Sequence, residues 1–245
     1  MKRQEKKWNG KIGWIILAFL ILVLAASFLA YVSVYYRADE TALAFMQSDE
    51  MVAVTETRYG WLFDGPSEDA ALIFYPGGKV EESAYAPLLH ALAARGLDAC
   101  LVKMPFRLAF LHGNAAEDVL KAHDYAEWYI GGHSLGGAMA AVYAADHGTD
   151  FSGVILLAAY PSKKLPDTLT EIQLIGSEDR IINMEKVKQG QTYAPQRCVE
   201  YTIEGGNHAQ FGSYGPQRGD GTAAISAEEQ IQETVRVIME NLRAD

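Results

Sequence analysis

Cysteine is scarce in this chain: the 245 residues include 2 Cys, Cys100 and Cys198, each in a different predicted strand. Because these strands lie well apart in the predicted sheet, we expect two buried thiols and no disulfide. The 6 His and the two Cys form no cluster at the spacing of metal ligands. The sequence therefore predicts neither a metal centre nor a disulfide-stapled fold, and no motif in it indicates an organic cofactor.

Positive charge is also sparse beyond the N-terminus. Residues 38–245 carry 15 Lys and Arg against 30 Asp and Glu, a formal charge of −15, and contain no basic stripe. A domain with this charge should be repelled by nucleic acid and by anionic lipid headgroups. We find no internal repeat and no low-complexity linker, so the sequence predicts one globular domain that does not bind nucleic acid.

Long apolar runs are absent except for one, Ile12 to Tyr36, where 25 residues lack formal charge. Such a run is long enough to cross a bilayer as a helix. Five basic residues and a single acidic one precede it, and the positive-inside rule then predicts a cytoplasmic N-terminus and an exported remainder. A cleaved secretory signal is the alternative, but its apolar region is usually shorter, so a retained anchor is favoured.

The pentapeptide Gly132-His133-Ser134-Leu135-Gly136 lies between an apolar run and a stretch of small residues, where a strand would pass into a helix. A serine nucleophile on a sharp strand-to-helix turn requires this context, with glycines where strand and helix approach each other. Ser134 is therefore the predicted nucleophile. Taken alone, the serine could equally be a helix N-cap.

A carboxylate and a histidine follow in the order that this chemistry needs. Asp179 follows the short apolar segment ending at Ile175, and His208 follows the alternating run 198–203 in a glycine-rich loop. A neutral imidazole must take the serine proton, and a carboxylate must fix its tautomer. We assign these roles to His208 and Asp179. Alone, each could be an ordinary loop residue, but the three together would require a triple coincidence.

An oxyanion intermediate also needs backbone N–H donors. Leu135, directly after the nucleophile at a helix N-terminus, is the first predicted donor. Gly78 is the second, because the buried-strand pattern 70–75 ends in Pro76-Gly77-Gly78-Lys79. Lys79 is the alternative donor, and the less favoured interpretation is an ordinary glycine turn.

Strand and helix patterns alternate from residue 70 onward, including a predicted helix over 114–126 and a last helix opened by the capping box 226–229. Alternation of this kind predicts a mostly parallel sheet with helices on both faces. The short connection 159–170 leaves room for a minimal lid or none.

These motifs resemble the α/β-hydrolase superfamily, and within it the compact α/β-hydrolase fold-5 family. The stretches that carry the resemblance are Pro76-Gly77-Gly78 with 84–88, then 103–110, then 131–137, and the longest is 204–212 continuing to Gly219-Asp220-Gly221. The resemblance covers residues 70 to 235 and implies a Ser/Asp/His hydrolase with Ser134, Asp179 and His208 in those roles.

The sequence therefore predicts four regions: a cytoplasmic basic tail (1–11), a transmembrane signal anchor (12–36), a linker or short helix (37–50) and an α/β-hydrolase catalytic domain (51–245). The predicted function is a membrane-anchored, extracytoplasmic serine hydrolase. It would cleave a small-molecule carboxylic ester through an acyl-enzyme, without metal or organic cofactor. An amidase, peptidase or thioesterase using the same triad is the alternative, and a catalytically silent binding domain is a third hypothesis.

Overall fold

The computed structural model of the chain describes residues 10–67 and 69–242. It divides into two compact units, residues 1–35 and 36–245. The first unit contains helix α1 (Gly10–Ser33). Within it, Lys11–Ser33, with a mean hydropathy of 2.9, is long and apolar enough to cross a membrane, by length and composition. Most of the predicted basic tail, residues 1–9, lies outside the described residues.

The second unit is built on one eight-stranded sheet with the strand order β1-β2-β4-β3-β5-β6-β7-β8. The pairs β1–β2 and β2–β4 are antiparallel, and all other neighbours are parallel. The strands are β1 (Ala53–Thr57), β2 (Gly60–Asp64), β3 (Ala70–Tyr75), β4 (Asp98–Val102), β5 (Glu127–His133), β6 (Gly153–Leu157), β7 (Thr170–Gly176) and β8 (Arg197–Ile203).

Helices cover both faces of this sheet. They are α2 (Glu40–Ala44), α3 (Ala86–Ala93), α4 (Ala116–Leu120), α5 (Leu135–Asp146), α6 (Met184–Gly190) and α7 (Ala227–Leu242). Side chains of β3 alternate between two cores: Leu72 and Phe74 pack with α3 and α7, whereas Ile73 and Tyr75 pack with α4 and α5. Burial on both faces explains why the central strands are continuous apolar runs.

Helix α4 is shorter than the predicted helix over 114–126, because it ends at Leu120. The residues after it run toward the start of β5 and make side-chain hydrogen bonds on the way. The ring of His123 lies 2.8 Å from the hydroxyl of Tyr59, and the hydroxyl of Tyr125 donates to Asp98 at 2.8 Å. These tertiary contacts override the helical pattern of the sequence.

The two cysteines are both free thiols. Cys100, in the interior strand β4, is buried as predicted, but Cys198 is only half-buried, so the expectation of two buried thiols was wrong for one of them. The reason is topological, since Cys198 lies in β8, which forms an edge of the sheet.

The carboxyl ends of the parallel strands form the edge where all the predicted site residues lie. The connection from β6 to β7, residues 158–169, contains no helix or strand, as expected for a minimal lid. The capping box that opens α7 is formed as predicted: Glu229 accepts the backbone N–H of Ser226, and its own N–H donates to the Ser226 hydroxyl. In open α/β sheets, ligands bind at this carboxyl edge.

Candidate active site

Ser134 forms the turn between β5 and α5. Its backbone has φ 52° and ψ −121°, in a region that residues with a side chain rarely occupy. Its N–H donates to the carbonyl of Leu157 at 2.9 Å, which fixes the turn against the end of β6. The serine is half-buried, so the turn presents it at the surface of the carboxyl edge.

Two glycines let strand and helix meet at this turn. A Cβ on Gly132 would lie 2.3 Å from the carbonyl oxygen of Tyr75, and one on Gly136 would lie 2.2 Å from the same atom. Neither distance is sterically possible for a real side chain. The turn and the end of β3 are therefore in backbone contact, as the predicted elbow requires.

Asp179 and His208 meet although 29 residues separate them. The Oδ2 atom of Asp179 lies 2.7 Å from Nδ1 of His208, and both side chains are almost completely buried. The other oxygen, Oδ1, accepts the backbone N–H groups of Ile181 at 2.8 Å and Ile182 at 2.9 Å. Both oxygens of this carboxylate are thus held in place by hydrogen-bond partners.

The strand ends that carry these two residues are joined before the loops begin. The N–H of Glu178 donates to the carbonyl of Gly206 at 2.8 Å, and the N–H of Gly205 donates to the hydroxyl of Ser177 at 2.8 Å. Behind them, the buried amide of Gln230 on α7 accepts the N–H of Asn207 and donates to its carbonyl. The backbone that precedes His208 is therefore bonded both to the acid loop and to α7.

His133, the residue before Ser134, connects the elbow to this pair. Its ring centroid lies 4.5 Å from that of His208, and its Nδ1 shares a hydrogen bond of 2.8 Å with the hydroxyl of Tyr85. Burial first, and then the neighbouring His208, hold the pKa of His133 well below its ordinary value of 6.5. His133 therefore stays neutral beside His208.

The glycine loop after β3 lies against the elbow. A Cβ on Gly77 would lie 2.6 Å from the Tyr85 hydroxyl, and one on Gly78 would lie 2.9 Å from Cδ2 of Leu135. The N–H of Gly77 donates to the Tyr85 hydroxyl at 3.0 Å, and that of Lys79 donates to the carbonyl of Arg107 at 2.9 Å. The N–H groups of both chain neighbours of Gly78 therefore already donate hydrogen bonds within the protein.

Several apolar side chains are exposed on the loops that follow strands at the carboxyl edge, and we call them the apolar rim. Phe106, Phe110 and Leu111 follow β4 and are 48%, 54% and 44% exposed, and Ile181 and Met184 follow β7. Exposed apolar side chains that form a patch are typical of interaction sites. No group of three His, Cys, Asp or Glu side chains within 10–67 and 69–242 is arranged to hold a metal ion.

The structure brings four of the five predicted site residues into two contacts, and Ser134 lies in the chain between His133 and Leu135, one residue from each contact. Asp179 contacts His208, whose ring packs on the residue before Ser134, and Gly78 packs on Leu135. Sequence reasoning missed Tyr85, whose hydroxyl joins the glycine loop to His133. A buried tyrosine in an amphipathic pattern gives no signal of this kind, because it looks like an ordinary core residue.

Comparison with known proteins identifies the family of this fold. A family model described as "Alpha/beta hydrolase family" matches residues 71–232. The chain therefore belongs to the alpha/beta hydrolase family, and the predicted fold is confirmed. A comparison with curated protein sequences gives no match.

Solved structures with the same fold include several esterases. Est1E from Butyrivibrio proteoclasticus has a TM-score of 0.55 at 15% identity, with 80% of this chain and 100% of that chain covered. Carboxylesterase CesB from Bacillus subtilis has a TM-score of 0.56 at 9% identity, with coverages of 83% and 95%. The esterase Est2 from Thermogutta terrifontis has a TM-score of 0.51 at 17% identity, with coverages of 77% and 90%. At these identities the likeness shows the fold alone.

Proposed function

We propose that this alpha/beta hydrolase is a membrane-anchored serine hydrolase that cleaves small-molecule carboxylic esters through an acyl-enzyme. Ser134 is the nucleophile, His208 is the general base and acid, and Asp179 orients the imidazole. The observation that carries the proposal is the buried contact of 2.7 Å between Asp179 Oδ2 and His208 Nδ1, beside the strained turn at Ser134.

The proposed mechanism follows from which imidazole nitrogen is engaged. Asp179 accepts the proton on Nδ1 of His208, so Nε2 is left with a lone pair that can take the proton of the Ser134 hydroxyl. The alkoxide attacks the ester carbonyl, the protonated imidazole gives its proton to the leaving alcohol, and water later hydrolyses the acyl-enzyme by the same route. Asp179 stays ionised throughout.

The N–H groups of Leu135 and Gly78 form the proposed oxyanion hole. Leu135 begins α5, where N–H groups lack partners within the helix and the dipole favours negative charge. Of the three residues after Pro76, Gly78 is favoured, because the N–H groups of Gly77 and Lys79 donate to Tyr85 and Arg107. This removes the support for Lys79, the alternative donor.

The proposed substrate class rests on the surroundings of Ser134. The apolar rim suits an acyl or aromatic group, and the short β6–β7 connection leaves the serine open to a small molecule. Structural neighbours are named esterases and a carboxylesterase, which favours an ester over an amide as the scissile bond.

A fluorophosphonate probe tests the nucleophile. The full chain in detergent should be labelled at Ser134, whereas Ser134→Ala should be unlabelled and inactive toward p-nitrophenyl esters. Ser162→Ala removes an exposed hydroxyl from the connection between β6 and β7 and should behave like wild type. Labelling that survives in Ser134→Ala, or a wild-type chain that neither reacts nor hydrolyses any ester, contradicts the proposal.

Matched acyl esters and anilides separate an esterase from an amidase. We expect the ratio of the enzymatic hydrolysis rates, ester over anilide, to exceed the ratio of their uncatalysed rates. If the anilide is the better substrate after that correction, the enzyme is an amidase acting through the same residues.

Membrane attachment and orientation are part of the same proposal. Lys11–Ser33 would span the bilayer, with the basic residues before it on the cytoplasmic side and the hydrolase unit outside. Protease added to intact spheroplasts of an expressing bacterium should digest the hydrolase unit. Protection until the membrane is broken would reverse the orientation, and recovery in the soluble fraction would refute the anchor.

A further inference from the structure

Asp220 contacts both of the loops that carry the proposed acid and base. Its Oδ2 accepts the N–H of Ala209, the residue after His208, at 2.9 Å. Its Oδ1 accepts the N–H of Arg180, the residue after Asp179, at 3.2 Å. One carboxylate therefore joins the two chain positions that directly follow the two partners of the buried pair.

Two other contacts hold the Asp220 segment in the same place. The carbonyl of Gly221 accepts the side-chain amide of Asn207, the residue before His208, at 2.8 Å. A Cβ on Gly221 would lie 2.0 Å from the carbonyl oxygen of Glu178, the residue before Asp179. The segment thus contacts the acid loop and the base loop on both sides of each functional residue.

The carboxylate of Asp220 accepts hydrogen bonds from backbone N–H groups. Besides the two loop N–H groups, Oδ1 accepts the N–H of Gly221 at 2.8 Å, and no Lys, Arg or His within the described part of the chain forms an ion pair with it. Both oxygens of the Asp220 carboxylate therefore have backbone partners. An amide at this position would retain one acceptor oxygen and could serve only one of the two loops.

We propose that Asp220 is a positioning residue that fixes the acid loop against the base loop, so that Asp179 meets Nδ1 of His208. It acts through backbone contacts and does not touch substrate. The inference rests on the proposed function, since it concerns the same triad. Nearer the sheet, the hydrogen bonds of Glu178 and Ser177 join the ends of β7 and β8. Asp220 joins the same two loops again on the other side of Asp179 and His208.

The test is Asp220→Asn, measured as the split between kcat and KM on a p-nitrophenyl ester. We expect kcat to fall about 10- to 100-fold, since a displacement of about 1 Å in a catalytic group can cost that much. KM should change less than about threefold, because Asp220 does not touch substrate. Asp49→Asn is the matched control: Asp49 also accepts two backbone N–H groups, from Met51 and Val52, but lies before β1.

A double variant distinguishes positioning from general loss of structure. On an Asp179→Asn background, Asp220→Asn should cost less than about threefold, because there is no carboxylate left to align. We expect the His208–Asp179 hydrogen bond of wild type to give a low-field proton NMR signal, and this signal should shift or broaden in Asp220→Asn while the methyl spectrum stays native.

The inference is overturned if Asp220→Asn keeps kcat within twofold, or if its full cost persists in the Asp179→Asn background. It is also overturned if activity falls only in proportion to the fraction of protein unfolded, with the low-field signal unchanged in the folded part. Failure of the proposed function would look different: the wild-type chain itself would not be labelled at Ser134.

Discussion

The two halves of the candidate site differ in how far polar side chains hold them together. In the elbow region, residues 76–79 and 132–137, backbone meets backbone at Gly132 and Gly136, where an added Cβ would lie within 2.3 Å of a carbonyl oxygen. In the acid–base region, residues 176–182 and 204–209, a close glycine contact is also present at Gly176, and in addition the polar side chains of Asp220 and Gln230 bond the backbone of the two loops.

This difference sets how each half should respond to substitution. Steric contact between backbones leaves no room for adjustment, so a single methyl group should disrupt the elbow region as a whole. Side-chain hydrogen bonds to backbone contribute about 1 kcal/mol each, or roughly 1.5–3 kcal/mol when one partner is charged. The acid–base region should therefore weaken by degrees, with the fold intact.

Gly136→Ala should have the largest effect. Its Cβ would lie 2.2 Å from the carbonyl oxygen of Tyr75 and 2.3 Å from that of Pro76, and neither backbone can retreat without moving β3. We expect a loss of about 3 kcal/mol or more in the free energy of unfolding, together with loss of esterase activity, in urea denaturation and ester assays.

Gly113→Ala is the matched control for that substitution. Its Cβ would approach only the flexible end of Met139, at 3.0 Å, so stability and activity should stay near wild type. If Gly136→Ala is as stable and active as this control, the steric description of the elbow region is wrong.

Asp179→Asn should lower kcat on the order of 10,000-fold without unfolding the protein. The amide can donate to Nδ1 of His208 and would hold the imidazole in the tautomer that cannot accept the serine proton. Fluorophosphonate labelling of Ser134 should slow by a similar factor, and circular dichroism should remain native. A variant with near wild-type kcat would exclude Asp179 as the orienting carboxylate.

The same difference explains how much could be predicted from the sequence. The elbow is encoded in five consecutive residues around Ser134, and the order of Asp179 and His208 on strand-end loops follows from the alternating pattern. The sheet edge where they meet follows from parallel topology. Continuous local motifs with a fixed backbone geometry are visible in a single sequence.

The supporting contacts were not predictable, for a physical reason. Tyr85, Asp220 and Gln230 act through distances set by tertiary packing, and none has a sequence neighbour that reveals its partner. The predicted helix over 114–126 failed for a related reason, since His123 and Tyr125 bond to Tyr59 and Asp98, which are distant in sequence.

Tyr85→Phe tests the hydroxyl that bonds both the glycine loop and the elbow. It leaves the N–H of Gly77 and Nδ1 of His133, both buried, without the hydroxyl they share, which should cost about 1–3 kcal/mol in the free energy of unfolding. With the glycine loop loosened, kcat should fall up to about 100-fold.

Tyr129→Phe serves as the control for Tyr85, because its hydroxyl donates to Glu127 at the opposite end of the sheet. Esterase activity of Tyr129→Phe should match wild type. Equal kcat in the two variants would mean that the phenol of Tyr85 contributes packing and nothing to the geometry of the glycine loop.

Glu171 lies in the first part of β7, and Asp179 follows the end of that strand. For Glu171→Gln we expect no effect on kcat and a pH-dependent effect on stability. Unlike Asp179, buried Glu171 has an oxygen, Oε2, that makes no hydrogen bond with the described residues. Burial, with a smaller contribution from the charge of Glu200, raises the pKa of Glu171 from 4.5 to about 7. The folded state therefore holds this proton more tightly than the unfolded chain does.

The sign of the effect follows from that difference. The stability linked to the proton is fully present below pH 4.5, is lost as the pH rises to about 7, and is absent above it. Glu171→Gln cannot ionise, so its advantage over wild type should grow by at most about 3 kcal/mol between pH 4.5 and pH 8 in urea denaturation.

Glu56→Gln, on the exposed strand β1, should show no such trend. If the advantage of Glu171→Gln is the same at pH 4.5 and pH 8, ionisation of Glu171 costs the folded state no stability. The proposed contrast between the two ends of β7 would then disappear.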